Sequence, residues 1–194
     1  MERISAIVLA AGESRRMGTP KMILPFRGGT IISTVINNIF ASGIKNVIAV
    51  LGANRSEVLK EIETLHVKHC YNRNYRQGML SSVKCGFIHL PDDFQAALVF
   101  PGDQPMIGPG VINIVINAYL QTGKGIVIPV FERQRGHPLL VDSKYRDEIL
   151  HLEGPEGLRE LALRHPDDVL EAETGDPLIL KDIDTIEDYL NEQR

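Results

Sequence analysis

Arg15, Arg16 and Lys21 crowd into residues 12–21, a short loop delivered by an apolar run near the start of the sequence, Ile4-Ser5-Ala6-Ile7-Val8-Leu9-Ala10-Ala11. Gly12 and Gly18 let the backbone approach a ligand closely, and successive N–H groups in such a loop can cradle an anion. Arginine offers phosphate oxygens a planar fork, and lysine a compact point charge. Together these groups suit a polyphosphate. They follow neither of two common phosphate loops. A P-loop places its Lys directly after the last glycine, whereas Thr19-Pro20 separates Gly18 from Lys21. The dinucleotide fingerprint needs glycine at its third and sixth places, where Ser14 and Met17 stand. The plainer alternative is a strand-to-loop turn with solvated cations.

Asp103, in Gly102-Asp103-Gln104-Pro105, follows a second apolar run, residues 96–100. Magnesium takes one or two protein carboxylates and completes its octahedron with substrate phosphates and water, so a strand-end Asp suits Mg²⁺. Gly-Asp and Pro also simply build turns. Asp182-Ile183-Asp184-Thr185 offers two more carboxylates. Strand alternation would turn both away from Ile183 toward a cleft; the alternative is capping of a helix by Asp184 or Thr185. Asn74, Gly78, Ser81 and Ser82 form a polar loop and helix start whose amide, hydroxyl and N–H groups can read a base edge or ribose. Ser81 as a helix cap is the plainer role. Gly136-His137-Pro138 holds a lone histidine in a turn, a place more often structural than catalytic. His66, His69, His89, His151 and His165 show no metal-ligand grouping, and Cys70 and Cys85 are too far apart for a CxxC pair or metal ribbon. Two reduced, buried thiols are expected, with a single disulfide as the alternative.

Strand-like runs alternate with helical patterns to position these residues. Strands are expected at 4–9, 47–51, 66–71, 96–100, 125–130, 139–141 and 169–172. Helices are expected at 31–42, 54–65, 79–90, 109–120, 143–150 and 156–164, with a short last helix to Asn191. Such alternation predicts an α/β protein, a three-layer α/β/α sandwich around a Rossmann-like, mostly parallel sheet. Ligands in such sheets bind beyond the carboxyl ends of strands, where residues 12–21 and 102–105 both fall. The 194 residues suit one domain, with 1–105 mainly the nucleotide side and 106–194 mainly the acceptor side. A net charge of −4 argues against nucleic acid or an anionic membrane surface as partner. Neither a secretion signal nor a membrane-spanning apolar stretch is legible, so a cytoplasmic location is the default expectation.

Leu9-Ala10-Ala11-Gly12, Arg16-Met17-Gly18 and Lys21 together resemble the start of the nucleotidyltransferases related to molybdenum cofactor cytidylyl- and guanylyltransferases. That resemblance implies the nucleotide-diphospho-sugar transferase type of fold. It implies nucleotide binding by Leu9, Ala10, Ala11, Gly12, Arg16 and Lys21, and catalytic roles for Arg16, Lys21 and Asp103. It also implies metal binding by Asp103, with Asp184 as second contact. Gly78, Ser81, Ser82 and Val83 resemble a loop that lies over the base in the cytidylyl branch. Gly136, His137 and Pro138 resemble that branch's acceptor-side motif. Departures are Gln104, where Met is common, and Glu153-Gly154-Pro155-Glu156-Gly157, which lacks the positive charge expected of an acceptor loop.

The implied reaction is Mg²⁺-dependent transfer of CMP from CTP to the phosphate of a pterin-type acceptor, the molybdenum cofactor, with release of pyrophosphate. A molybdoenzyme or its chaperone is the implied protein partner. The rivals are use of GTP, transfer to a sugar phosphate or methylerythritol phosphate, and a non-catalytic nucleotide sensor or cofactor chaperone.

Overall fold

A computed structural model describes residues 3–192. β1 (Ile4–Ala10) leads through the cationic loop to the small hairpin β2 (Pro25–Phe26) and β3 (Gly29–Thr30). Next come α1 (Ile31–Ala41), β4 (Asn46–Leu51), α2 (Arg55–Ile62) and β5 (Lys68–Tyr71). The chain crosses back through α3 (Met79–Ile88) to β6 (Ala96–Pro101). It continues with α4 (Pro109–Thr122), β7 (Ile126–Phe131), β8 (Gln134–Arg135), β9 (Leu139–Asp142) and α5 (Arg146–His151). α6 (Leu158–Arg164), β10 (Val169–Glu173) and α7 (Ile186–Asn191) complete it. The main sheet runs β10-β7-β9-β6-β1-β4-β5, with β8 attached to β7.

β1 is apolar at every position but Ser5 because both of its faces are covered, as expected of a central parallel strand. Its even residues Ile4, Ala6, Val8 and Ala10 pack with Ile36 of α1, Val58 of α2 and Ile112 of α4. Its odd residues Ile7 and Leu9 pack with Val83 and Phe87 of α3, Ile149 of α5 and Leu161 of α6. Two cores thus flank the sheet, and the expected three layers are present. Helix ends follow local chemistry: Thr30 and Ser33 form a capping box at α1, and Pro109 opens α4. Among the described residues no helix is long and apolar enough to cross a membrane.

Some details depart from the sequence expectations, and one stated alternative is decided. The two-residue strands β2, β3 and β8 are not among those expected. β9 lies antiparallel between β6 and β7, because a tight β7–β8 turn at Glu132 and Arg133, both with positive φ, reverses the chain. α2 stops at Ile62 and tightens into a 3₁₀ turn through Leu65. Residues 181–184 form no strand, so alternation does not orient Asp182, which is exposed. The cap of α7 is Thr185, reciprocally bonded with Asp188 and leaving the Asp184 carboxylate free of capping.

Gly86 shows how closely α3 approaches the sheet: a Cβ there would lie 2.5 Å from Cγ2 of buried Ile7. Gly→Ala inside a helix ordinarily gains ~1 kcal/mol in propensity. Overpacking costs about 1–3 kcal/mol and prevails here. Gly86→Ala is therefore expected to lower the unfolding free energy, measured by urea denaturation with unchanged m-value.

Candidate active site

The site forms where the strand order reverses. β1 is flanked by β4 and β6, so the chain passes to opposite sides of β1 at its carboxyl end. Leu9 pairs in register with Pro101, which sets the loops after β1 and β6 side by side. Gly102 donates its N–H to the Leu9 carbonyl at 3.0 Å, and a Cβ on it would stand 2.8 Å from that oxygen. Only glycine permits this approach without displacement, and it fixes the start of the Asp103 loop.

The cationic loop is held from inside. Ser14, at φ 53°, accepts the Met17 N–H on its carbonyl and the Lys21 N–H on Oγ, both at 3.0 Å. Met17 is buried with Phe26, Ile31, Met106 and Ile183 in a third apolar cluster. Ile183 also donates its backbone N–H to the Asp103 carbonyl at 3.0 Å. Two apolar side chains therefore deliver three polar ones: Met17 holds the loop that ends in Lys21, and Ile183 holds Asp184 beside Asp103.

Lys21 Nζ lies 2.5 Å from Asp103 Oδ2 and 2.8 Å from Asp184 Oδ1. Arg16 reaches Asp184 Oδ2 at 2.9 Å. The two cations differ in setting. The Lys21 side chain is 11 % exposed and that of Arg16 71 %. An exposed pair such as Arg16–Asp184 contributes little and separates readily. Burial pushes the Lys21 pKa down, but the Asp103 and Asp184 carboxylates outweigh burial and hold it above its ordinary 10.5. Asp182 does not line the cleft; partial desolvation and then the charges of Asp184 and Asp103 raise its pKa. Two carboxylates converge on one cation, Lys21 Nζ. Hard oxygen donors that already share a cation suit a divalent metal such as Mg²⁺.

A cleft of about 380 Å³ opens over this group, lined by Leu9, Ala11, Gly12, Arg16, Lys21 and Asp103 among others. Ala10 is buried in the sheet instead. A side chain at Gly12 would meet no protein atom, consistent with space kept for a ligand. Across the cleft, Gly78 and Ser82 line the wall, whereas Asn74 and Ser81 do not. Ser81 holds the loop together, donating from Oγ to the carbonyls of Asn74 and Gly78. Buried Asn72, which sequence reasoning missed, donates to Oγ of both Ser81 and Ser82 and accepts the Asn74 N–H. Its signal was a lone amide directly after an edge strand. Glu13 and Arg76 were also missed; their 3.2 Å ion pair joins the cationic loop to the opposite wall.

A second cavity of about 900 Å³ shares Leu9, Gly78, Met79 and Pro101 with the first. Gly136 and His137 line it, while Pro138 is buried behind them. Burial lowers the His137 pKa, against a smaller opposing effect of Asp103, so the ring is neutral at pH 7. Residues 153–157 bring no positive charge to this cavity, and its cations come from elsewhere. Arg133, Arg135 and Arg159 line this cavity, brought there by the β7–β8 turn and α6. Arg135 pairs with Glu171 at 2.7 Å, and Arg159 with Glu156 at 3.5 Å. The reading of Cys70, Cys85 and His89 as ungrouped is corrected too: their sulfur and nitrogen atoms lie within 4.8 Å of one another.

Residues 6–169 match the family model of the MobA-like NTP transferase domain. The chain is 30 % identical over 192 residues to the molybdenum cofactor cytidylyltransferase of Escherichia coli (strain K12), covering 98 % of this chain and 95 % of that relative. It is 27 % identical over 200 residues to the nicotine blue oxidoreductase of Paenarthrobacter nicotinovorans, covering 95 % and 93 %. The crystal structure of Rv0371c from Mycobacterium tuberculosis H37Rv superimposes with a TM-score of 0.86 at 26 % identity, covering 98 % of this chain and 97 % of that one. The chain belongs to the MobA-like NTP transferase family and is a nucleotidyltransferase.

Loss of the Lys21 ammonium would leave Asp103 and Asp184 facing each other without their shared cation. Breaking a fully buried pair costs ~3–5 kcal/mol, and partial exposure of both carboxylates reduces that to about 1–3 kcal/mol here. Lys21→Met is expected to lose this much at pH 7 by chemical denaturation. The loss should shrink as pH falls through the carboxylate range. In the unmodified protein, the raised Lys21 pKa means its contribution is fully present below 10.5 and lost only as pH rises through the higher folded value.

Proposed function

We propose that this MobA-like NTP transferase transfers CMP from CTP to the phosphate of a molybdopterin-type acceptor, releasing pyrophosphate, with Mg²⁺ as its metal. The observation that carries the reading is the meeting of Arg16, Lys21, Asp103 and Asp184 at one cleft that opens into a second, arginine-lined cavity. Similarity to a cytidylyltransferase along nearly the whole chain supports the choice of CTP and acceptor.

The acceptor phosphate oxygen attacks the α-phosphorus in line, the bond to the bridging α–β oxygen breaks, and pyrophosphate departs. A phosphate acceptor is ionised at neutral pH, so the protein supplies positioning and charge stabilisation and no general base. Arg16, exposed and loosely paired, swings to the β- and γ-phosphates. Lys21 exchanges a carboxylate for an α-phosphate oxygen, where negative charge shifts during transfer. Asp103 and Asp184 would hold Mg²⁺, which when bound supplies Lewis-acid neutralisation of the phosphate charge. Gly12 brings backbone close to the phosphates, with Leu9 and Ala11 forming the floor beneath it and Ala10 packed in the sheet behind them. Gly78 and Ser82 meet the base, and Asn74 and Ser81 shape that loop. Gly136 and His137, backed by Pro138, face the acceptor, and neutral His137 contributes a hydrogen bond rather than charge.

The direct test is pyrophosphate release measured for each NTP, with and without molybdenum cofactor and with Mg²⁺ present or chelated. Release that needs CTP, cofactor and metal together is expected; release with a sugar phosphate alone would overturn the acceptor. In the same assay Lys21→Met should lose ~2.7–4 kcal/mol of transition-state stabilisation, as removal of an oxyanion donor does, while nucleotide binding changes less. Turnover near that of the unmodified enzyme would remove Lys21 from the chemistry.

Nucleotide choice depends on the wall formed by Gly78, Met79 and Ser82. Met79 lines the cleft and is expected to restrict the room a purine needs, and Ser82 can pair with a pyrimidine edge. Sites that hydrogen-bond their ligand reject mismatches strongly, whereas apolar fit alone discriminates by ~1–3 kcal/mol. CTP is expected to bind at least about tenfold tighter than GTP, or ~1.4 kcal/mol, by calorimetric titration with Mg²⁺. Equal affinities would leave nucleotidyl transfer standing without the cytidylyl choice.

A further inference from the structure

Cys70 on β5 and Cys85 on α3 stand fifteen residues apart in sequence, yet their Sγ atoms are 3.3 Å apart. Both thiols are free. Cys70 is buried and Cys85 partly exposed. His89 lies one helical turn beyond Cys85, with Nδ1 2.8 Å from the Cys85 carbonyl. The transfer reaction uses none of these groups. We propose that Cys70 and Cys85 are a reversible dithiol–disulfide pair, oxidised by hydrogen peroxide, whose closure draws α3 toward β5 and reshapes the wall of the nucleotide cleft. The last part of this proposal rests on the nucleotide reading of that cleft.

The two sulfurs are chemically unequal. In the neutral pair the Cys85 thiol donates to Cys70 Sγ and the Cys70 thiol to the Cys85 carbonyl at 3.8 Å. Once Cys85 is ionised, a hydrogen bond from the Cys70 thiol favours its thiolate; this outweighs burial and, with a smaller effect of His89, pulls the Cys85 pKa down to about 7. The same hydrogen bond, burial and the adjacent Cys85 charge raise that of Cys70. Cys85 is thus the partly exposed nucleophile, and Cys70 the protonated partner behind it. In the first step Cys85 Sγ attacks one peroxide oxygen, the O–O bond breaks, and the leaving hydroxide takes up a proton as water. The product is Cys85 sulfenic acid. Cys70 Sγ then attacks Cys85 Sγ, the S–O bond breaks, and the hydroxyl leaves as water with the Cys70 proton. Two thiols are oxidised by two electrons, and peroxide is reduced to two waters.

Closure must shorten the sulfur separation from 3.3 Å to a bond of ~2.05 Å. The displacement falls on segments that build the cleft. Ser81 and Ser82 lie four and three residues before Cys85, on the same side of α3, and both bond Asn72 just beyond Cys70. Met79 and Ser82 line the cleft from this helix. A disulfide would therefore tie together the two segments that Asn72 already joins, one turn further along.

The test uses the intact, chelator-treated protein exposed to hydrogen peroxide. Loss of two hydrogens in the intact mass, a Cys70–Cys85 linked peptide and reversal by dithiothreitol are expected. In Cys70→Ser the reaction should stop at a dimedone-trapped sulfenic acid on Cys85, and in Cys85→Ser Cys70 should remain unlabelled. Two thiols still open to alkylation, or dimedone on Cys70 instead, would overturn the pair. CTP affinity, titrated with Mg²⁺, should fall about threefold or more in the oxidised protein, recover on reduction and stay constant in peroxide-treated Cys70→Ser. A disulfide with unchanged affinity would overturn its coupling to the cleft. Failure of the reduced protein to bind any nucleotide would overturn the nucleotide reading and the coupling with it, while the mass and peptide measurements judge the disulfide independently.

Discussion

Two carboxylates at neighbouring loop ends repel, and the arrangement of this site follows from the cation they share. Asp103 and Asp184 come from separate loops far apart in the sequence, and both point at Lys21 Nζ. With the ammonium in place, the pair can be partly withdrawn from water without an uncompensated charge. The same geometry leaves two hard oxygen donors at one point beside a cleft. The interaction that makes the loops compatible in the folded chain is thus also the one that phosphate and metal would have to replace. A lysine is suited to that exchange because its charge sits on a flexible stem.

Such a polar cluster needs an apolar frame, since partly exposed ion pairs alone contribute too little to fix loop positions. Met17, Phe26, Ile31, Met106 and Ile183 form that frame at the carboxyl ends of the strands. Their packing joins the loop after β1, the hairpin, the loop after β6 and the segment before α7. Below them, the β1–β6 register and the close approach of Gly102 to Leu9 set the spacing of the two main loops. The hierarchy runs from sheet to apolar cluster to charged group, each level constraining the next.

The two cavities meet along Leu9, Gly78, Met79 and Pro101. A ligand in one is therefore in contact with the wall of the other, the arrangement a group transfer between two anionic substrates requires. The shared wall is carried largely by the start of α3, which Asn72 ties to the end of β5. That helix is consequently the element through which a change at Cys70 and Cys85 reaches the cleft.

The sequence by itself determined the seven longer strands, the layers and the ends at which chemistry would occur, but not the two-residue strands β2, β3 and β8. Continuous apolar runs such as residues 4–10 have to be buried on both faces, and the glycines and cations that follow them mark loops that can hold phosphate. Arg16, Lys21 and Asp103 were legible because each follows such a run at short range. What only the tertiary structure decided involved partners distant along the chain. Asp184 stands 163 positions from Lys21, and its orientation comes from Ile183 packing, not from strand alternation. Asn72 looked like a loop amide until α3 brought Ser81 and Ser82 to it. The convergence of Arg133, Arg135 and Arg159 on the second cavity and the Cys70–Cys85 contact were set in the same way. Periodicity reports which face of an element is buried, but the side chain that waits across a cleft is set by how separate elements pack.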